Sequence, residues 1–265
     1  DILIFDRSKH PIVPTPLGAK ILEQARSVLY EAQVLEQMAK KIGGKFEGEL
    51  NLAVIPTVAP SLLPRFIPEF SQKYPDIKLK IEELKTEDMI EALRQDRIDV
   101  GIAATPLTEK GIEELPLYYE PFMAFVPEYH SMNNDEFLLA SELNANNMLL
   151  LNEGHCFRSS VLKICQTELQ QDQRINMESG NFDTLVKLAH RGLGMTLLPY
   201  LNTLDLASKY KKGIKPIAEP TPTREISMLY TRTQLKQEWI QAMAAVIQST
   251  LPEKLLKKSD HIISP

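Results

Sequence analysis

Two cysteines are the residues in this chain best suited to redox chemistry. They stand at positions 156 and 165, in the segment GHCFRSSVLKIC that spans residues 154–165. Cys156 precedes a helical pattern, so we expect it at the positive end of a helix, where His155, if protonated, and Arg158 would add positive potential. These features favour a thiolate, which is the reactive form of cysteine. Cys165 follows apolar residues, and we expect it to be buried and inert.

The spacing of the two cysteines has a geometric consequence. If residues 157–165 are helical, these nine residues span about 13.5 Å and turn through about 900°, which puts the two sulfurs on opposite faces. A disulfide needs Cα atoms within roughly 7 Å of each other, so a bridge would require the helix to unwind. Peroxide would convert Cys156 to a sulfenic acid, and this would condense with Cys165 once the helix opened. The alternative is a pair of inert core cysteines, which is the more common situation in a cytoplasmic domain.

Other kinds of site are not indicated by the sequence. The glycines of GLGMT, Gly192 and Gly194, follow a helical pattern and lack the third glycine of a dinucleotide fingerprint, so they predict a helix stop. The sequence contains no GxxxxGK[ST] phosphate loop. The five histidines are scattered, and neither CxxC nor HExxH spacing occurs. We therefore expect neither a cofactor nor a metal ion.

Composition narrows the class of protein. The 265 residues suggest about two domains, and 43% hydrophobic with 25% charged residues is ordinary for a globular protein. No apolar run approaches the roughly 20 residues of a membrane span, and no export signal opens the sequence. Two cysteines suit a reducing compartment, so we expect a cytoplasmic protein. The net charge of −5 argues against a large basic face for DNA. Because the first residue is Asp1, we expect a fragment, and if the protein binds DNA, the basic surface should lie mainly in a missing N-terminal part.

The first 46 residues predict a short remnant followed by a long helix. Residues 1–15 are mixed in character and contain prolines. Thr15 and Pro16 are suited to cap and open a helix of about 27 residues and 40 Å, which would end at Gly43-Gly44. One apolar stripe runs along this helix, so residues 16–46 are interpreted as a dimerisation helix and hinge. The alternative is a helix that packs on its own domain.

From residue 47 onward strands alternate with helices, which predicts an α/β fold with a parallel sheet. The segments MAFVPE and MLLLNE are interpreted as strands, and Thr86 as the cap of the helix TEDMIEALRQD. Two crossings between the halves are expected near residues 119–122 and 222–226. Residues 47–120 and 224–265 would then form one subdomain and residues 121–223 the other, with a cleft between them.

The motif GHC-x-R, with a second cysteine nine residues after the first, resembles the OxyR-type peroxide sensors among the LysR-type transcriptional regulators. The resemblance covers nearly the whole chain. The segment LIFDRSKHPIVPTPLGAKILEQA resembles the end of the family's winged DNA-binding domain and the start of its linker helix. Four further segments match the effector-domain pattern in order: VIPTVAPSLLPRFIP, DVGIAA, LLNEGHCFRSSVLKIC and RGLGMTLLP. The resemblance implies a periplasmic-binding-protein-like effector domain of two α/β subdomains behind a long dimerisation helix.

The resemblance also implies a peroxide site. Cys156 would be the cysteine that attacks peroxide, and Cys165 the one that resolves the intermediate. The residues expected to surround the peroxide are Thr57, Thr86, His155, Arg158 and Arg224. Thr57 and Thr86 could instead be a turn residue and a capping residue, and Arg224 could be a surface residue at the start of a strand.

By the same resemblance the protein is a regulator rather than an enzyme. Its expected partners are hydrogen peroxide, promoter DNA through the N-terminal domain, and RNA polymerase. We also expect a homodimer or homotetramer and a glutaredoxin or thioredoxin-type reductant. No contact with a membrane is expected. Three other functions share parts of this pattern. A LysR-type regulator could bind a metabolite in the cleft, and a thiol peroxidase could use the same cysteine chemistry, although the binding-domain pattern and the long helix argue against a peroxidase. The absent export signal and the linker helix disfavour a periplasmic solute-binding protein.

Overall fold

The computed structural model of the protein describes residues 2–42, 47–165 and 180–265. The chain divides into two compact units, Asp1–Gly48 and Glu49–Pro265. In the first unit, strands β1 (Phe5–Asp6) and β2 (Val13–Pro14) form a small antiparallel hairpin, and helix α1 (Pro16–Ile42) follows.

The start of α1 is as predicted. The Thr15 hydroxyl accepts a hydrogen bond from the backbone N–H of Gly18 at 2.9 Å and donates one to the carbonyl of Leu3 at 2.7 Å. The helix is therefore capped, and its cap is tied to the hairpin. The predicted stop at Gly43-Gly44 lies outside the described residues.

Several apolar side chains of α1 are exposed. Leu17, Val28, Leu29 and Leu35 are each more than half exposed, with values from 52% to 71%. At about 100° per residue, Leu17, Val28 and Leu35 fall on one side of the helix, and such a stripe is suited to packing against a second helix. Dimerisation through α1 stays a prediction.

The second unit alternates strands and helices. Its strands are β3 (Gly48–Val54), β4 (Ile77–Glu83), β5 (Val100–Thr105), β6 (Ile112–Phe125), β7 (Thr196–Pro199), β8 (Ile214–Pro216) and β9 (Thr223–Thr231). Its helices are α2 (Ala59–Lys73), α3 (Thr86–Arg94), α4 (Cys156–Cys165), α5 (Phe182–His190), α6 (Tyr200–Leu204), α7 (Ser208–Lys211) and α8 (Gln237–Ser249). None of the described helices is both long enough and apolar enough to cross a membrane.

The strands form a mixed sheet in the order β4-β3-β5-β9-β6-β7, with β8 also paired to β6. The β3–β5 pair is parallel, as the strand–helix alternation predicted. Strand β9 comes from the end of the chain and pairs antiparallel with both β5 and β6. The sheet therefore starts as a parallel α/β unit and becomes antiparallel where the C-terminal segment returns.

Strand β6 belongs to both halves of the second unit. Its first part pairs with β9, and its last residues, Phe122–Phe125, pair with β7 and β8. The segment MAFVPE, predicted as a strand, therefore contributes its first three residues to the end of this longer strand, which stops at Phe125. The prediction of a strand at MLLLNE was wrong. Met148 makes only an isolated bridge to Met195, because this apolar run is buried by packing rather than by a continuous ladder.

Two hydrophobic cores underlie the sheet. The first core is built from buried residues between Leu50 and Tyr118 together with the returning segment Ile226–Leu255. The second core is built from buried residues between Phe122 and Ile217. The buried apolar side chains of β6 belong to the first core where the strand pairs with β9, and to the second core where it pairs with β7. The α/β fold class is as predicted, while the exact subdomain limits stay a prediction.

Candidate functional site

Helix α4 carries the two cysteines at its two described ends, and a glycine turn sets its beginning. Gly154 has φ +83°, and a Cβ at this position would lie 2.7 Å from Lys85 Nζ. The Lys85 ammonium donates to the carbonyl of Glu153 at 3.3 Å. The positive φ of this turn favours glycine, and the end of the Lys85 side chain occupies the space beside it.

Cys156 is half-buried and packs against the first core. Its sulfur is hydrogen-bonded by the Thr86 hydroxyl and by the backbone N–H groups of Phe157 and of Cys156 itself, and it feels the charge of Arg224. These groups lower the pKa of the thiol, but the loss of water around the sulfur is the larger effect, so the pKa stands above its usual value. The expectation of a resting thiolate was therefore wrong, because the sequence did not indicate how deeply the sulfur is buried.

Arg224 is held beside this site by a buried ion pair. Its Nε and Nη2 atoms donate to Glu120 Oε2 at 3.0 and 2.8 Å, and its Nη1 donates to the Thr57 hydroxyl at 3.3 Å. Only 3% of the Arg224 side chain and none of the Glu120 side chain is exposed. The alternative that Arg224 is a surface residue is therefore wrong. The second oxygen of Glu120 accepts from the N–H of Leu201 at 2.6 Å, which satisfies the carboxylate.

Thr57 is buried, and the structure connects it to Arg224 twice. Its hydroxyl accepts from Nη1, and its backbone carbonyl accepts from Nη2 at 3.2 Å. Thr57 thus holds the guanidinium together with Glu120, and Nη2 donates to both residues. Glu120 was not singled out from the sequence. The signal was its position, because Glu120 and Arg224 lie in the two ranges, 119–122 and 222–226, where the chain was predicted to cross between the halves. Glu120 and Arg224 are direct partners in the β6–β9 register at that crossing.

Thr86 does not cap helix α3. Lys85 is the capping position, no side chain makes the cap hydrogen bond, and Thr86 is the first helical residue. The predicted capping role was wrong, because the hydroxyl instead points to the Cys156 sulfur. The acidic first turn that the sequence predicted is present as Glu87 and Asp88. Thr86 therefore contacts the Cys156 sulfur and does not cap the helix, while its role toward peroxide stays a prediction.

His155 and Arg158 are placed differently from the expectation that both add charge to the thiol. His155 is buried, and burial together with the nearby Lys85 ammonium lowers the pKa of its imidazole. The ring is therefore neutral at pH 7 and supplies no positive charge. Arg158 Nη1 donates to the carbonyl of Leu151 at 3.0 Å, which ties the first turn of α4 to the preceding segment.

Cys165 lies at the other end of α4 in an apolar environment. It is 5% exposed and belongs to the second core, as expected. Its sulfur lies 3.6 Å from the sulfur of Met148, and burial raises the pKa of its thiol to about 11. The two cysteines are not joined by a disulfide. The nine-residue rise between them separates them by about 13.5 Å along the helix axis, so the reduced helix holds them apart.

The structure therefore brings together Cys156, Thr86, Arg224 and, through Arg224, Thr57. A protonated thiol with a hydroxyl and a cation beside it can lose its proton during an attack on a small oxidant, because both neighbours stabilise the thiolate. Among residues 2–42, 47–165 and 180–265, no group of three or more His, Cys, Asp or Glu side chains could hold a metal ion.

Comparison with known proteins points to one group of regulators. The LysR substrate binding domain matches residues 43–252. The hydrogen peroxide-inducible genes activator of Haemophilus influenzae is 31% identical over 231 residues, which is 86% of this chain and 76% of that protein.

Two solved structures agree with this match. A full-length OxyR variant from Pseudomonas aeruginosa superposes with a TM-score of 0.77 at 30% identity, over 93% of this chain and 82% of that one. A hydrogen peroxide-bound OxyR variant from Corynebacterium glutamicum superposes with a TM-score of 0.73 at 27% identity, over 96% of this chain and 80% of that one. The chain belongs to the LysR family and, within it, to the hydrogen peroxide-inducible genes activators known as OxyR.

Proposed function

We propose that this chain is the sensing part of a transcription regulator that detects hydrogen peroxide with Cys156 and records it as a reversible Cys156–Cys165 disulfide. The observation that carries the proposal is the Cys156 sulfur, which has the Thr86 hydroxyl and the Arg224 charge beside it at the start of a helix. The family supports the same function, since its members are regulators and not a class of enzymes.

The chemistry takes two balanced steps. In the first, the Cys156 sulfur attacks one peroxide oxygen, the O–O bond breaks, and the thiol proton leaves with the other oxygen as water, which gives a sulfenic acid. The oxidation consumes one peroxide. In the second step the Cys165 sulfur attacks the Cys156 sulfur, the S–O bond breaks, and a second water leaves. A dithiol reductant of the glutaredoxin or thioredoxin type would restore both thiols.

The residues around the sulfur have separate roles in this proposal. Thr86 and Arg224 stabilise the thiolate as it forms, and Thr57 keeps the guanidinium in place. His155, which is neutral, and Arg158 border the site at the start of α4. Because burial raises the pKa of Cys156, little thiolate is present in the resting protein, and the attack on peroxide depends on the Thr86 hydroxyl and the Arg224 charge to stabilise the thiolate as it forms.

The disulfide would act as a conformational switch. The reduced helix α4 keeps the sulfurs too far apart, so the bridge can exist only when the helix is remodelled. Subunit contacts in a homodimer or homotetramer would change as a result. The DNA-binding heads would then meet promoter DNA and RNA polymerase differently, in the cytoplasm where the chromosome lies.

The first experiment is intact-mass analysis with thiol alkylation, before and after roughly equimolar hydrogen peroxide is added to the reduced protein. We expect the rapid loss of both alkylatable thiols and a mass decrease of two hydrogens, both reversed by a dithiol. Two thiols that survive brief exposure to low peroxide would overturn the proposal. A metabolite-binding LysR regulator would then be the better hypothesis, and stabilisation of the protein by organic acids would test it.

A further inference from the structure

The last residues of the chain form a short segment, 261–265, that we call the C-terminal strap. It lies beside the start of β9, where the backbone N–H of Thr223 donates to the carbonyl of His261 at 3.0 Å. The N–H of Ile263 in turn donates to the carbonyl of Thr223 at 2.8 Å, and Thr223 forms a parallel bridge with Ile262. The strap is thus anchored next to Arg224, the cation of the peroxide site.

The other side of the strap contacts the helix that carries the cysteines. The Ile263 side chain packs against the second core, to which Cys165 belongs. Lys163, on the exposed face of α4, donates from Nζ to the carbonyls of Ser264 and Pro265, at 3.0 Å each. One ammonium therefore links the last described turn of α4 to a segment that is hydrogen-bonded to β9.

This link spans the part of the molecule that must move. Lys163 lies between the two cysteines and only two residues before Cys165, so it cannot keep its place when α4 unwinds to bring Cys165 to Cys156. We infer that Lys163 is a positioning residue and that its contact with the C-terminal strap restrains α4, which slows disulfide formation from the Cys156 sulfenic acid. This inference rests on the proposed function, because it concerns the second oxidation step, in which Cys165 attacks the Cys156 sulfenic acid.

A kinetic experiment separates the two steps. Reduced wild-type protein, Lys163→Met and a chain that ends at Asp260 are each mixed with hydrogen peroxide. A cyclic 1,3-diketone traps the sulfenic acid, and mass spectrometry follows the disulfide. We expect sulfenic acid formation to keep its rate in all three proteins, because the strap does not touch the Cys156 sulfur. Disulfide formation should be about two- to tenfold faster in both variants, which is the effect of losing hydrogen bonds of ordinary net strength.

Two controls isolate the contact from other effects of Lys163. A lysine near a helix C-terminus also stabilises that helix through its charge, so Lys163→Met alone could loosen α4 without any part played by the strap. In the chain that ends at Asp260, Lys163→Met should therefore add little further acceleration. Lys163→Arg keeps a donor of similar reach and should stay close to wild type.

The strap can also be tested without peroxide. Amide hydrogen exchange in residues 161–165 of the reduced protein should quicken in both Lys163→Met and the shortened chain. Unchanged exchange and unchanged disulfide formation in both variants would overturn the inference, and so would accelerations that add fully in the double variant. If the wild-type protein forms no sulfenic acid at all, the proposed function fails, while faster exchange would still show that the strap restrains α4.

Discussion

The two ends of α4 place the same functional group in opposite surroundings. Cys156 packs against the first core but is reached by a hydroxyl, by backbone N–H groups and by the charge of Arg224. Cys165 is buried in the second core, with a thioether 3.6 Å from its sulfur. Burial raises the pKa of both thiols, but at Cys156 the neighbouring groups act in the opposite direction. The comparison teaches that reactivity at Cys156 comes from groups that can stabilise a thiolate once it forms.

The strongest test of this comparison removes each sulfur in turn. Cys156→Ser should abolish the peroxide response, because the remaining thiol, Cys165, is only 5% exposed in the second core and burial raises its pKa to about 11. Cys165→Ser should still be oxidised at Cys156 but should stop at a sulfenic acid or a trapped adduct. Intact mass after brief peroxide exposure distinguishes the two. Rapid oxidation of Cys165 in the Cys156→Ser protein would show that the roles of the two ends are assigned wrongly.

A second test removes the cation from the reactive end. Arg224→Met leaves the Glu120 carboxylate buried without its partner, and we expect a loss of about 3–5 kcal/mol in the free energy of unfolding. Arg232→Met breaks an exposed pair with Glu113 and serves as the matched control, with an expected loss of about 0–1 kcal/mol. Urea unfolding measures both.

A companion variant identifies the cause of that loss. Adding Glu120→Gln to Arg224→Met removes the uncompensated charge, so part of the lost stability should return. If Arg224→Met costs no more than Arg232→Met, the buried pair does not hold this crossing together, and the distinction between the two ends loses its electrostatic basis.

The pH dependence of the free energy of unfolding tests the surroundings of Cys165, at the apolar end of α4. Burial raises the pKa of Cys165 from 9.0 in the unfolded chain to about 11 in the fold. The unfolded state therefore releases this proton first. The stability that this thiol contributes is complete below about pH 9 and is lost as the pH rises towards about 11, at roughly 1 kcal/mol per pH unit.

The control for this prediction is a background without the other thiol. In Cys156→Ser protein, the free energy of unfolding measured in urea should fall as the pH rises from 8 to 11. It should fall less steeply in the same protein carrying Cys165→Ala, and the difference between the two slopes is the contribution of Cys165. Equal slopes would mean that Cys165 titrates normally in the fold and is more accessible than the structure indicates.

Local signals were enough for much of the fold. The cap at Thr15, the helix from Pro16, the burial of Cys165 and the parallel pairing of β3 with β5 all followed from the pattern of residues. Each depends on neighbours in sequence or on the alternation of strands and helices, which a single chain displays directly.

Long-range features could not be predicted in the same way. The Glu120–Arg224 pair depends on the register of two strands a hundred residues apart, and the high pKa of Cys156 depends on how deeply its sulfur is buried. The run MLLLNE is apolar whether it is a strand or a buried coil, so periodicity could not distinguish them. For Thr86 the local rule suggested a cap, and a tertiary contact with the cysteine sulfur prevailed.

That conflict at Thr86 supplies the smallest and most discriminating test. Thr86→Val keeps the branched shape but removes the hydroxyl that hydrogen-bonds the Cys156 sulfur. The pKa of Cys156 should rise further, and alkylation of this thiol at neutral pH should slow by about two- to tenfold, the effect of one hydrogen bond. Thr86→Ser restores a hydroxyl and should recover most of the rate.

The same pair of variants decides between the two roles of Thr86. A helix cap is worth about 1 kcal/mol, so a capping Thr86 would make Thr86→Val less stable by about that amount in urea unfolding. Because Lys85 rather than Thr86 occupies the cap position, we expect the free energy of unfolding to change by less than about 0.5 kcal/mol. A slower thiol in an equally stable protein would place Thr86 at the reactive end of α4, whereas a less stable protein with an unchanged thiol would return it to the role of a cap.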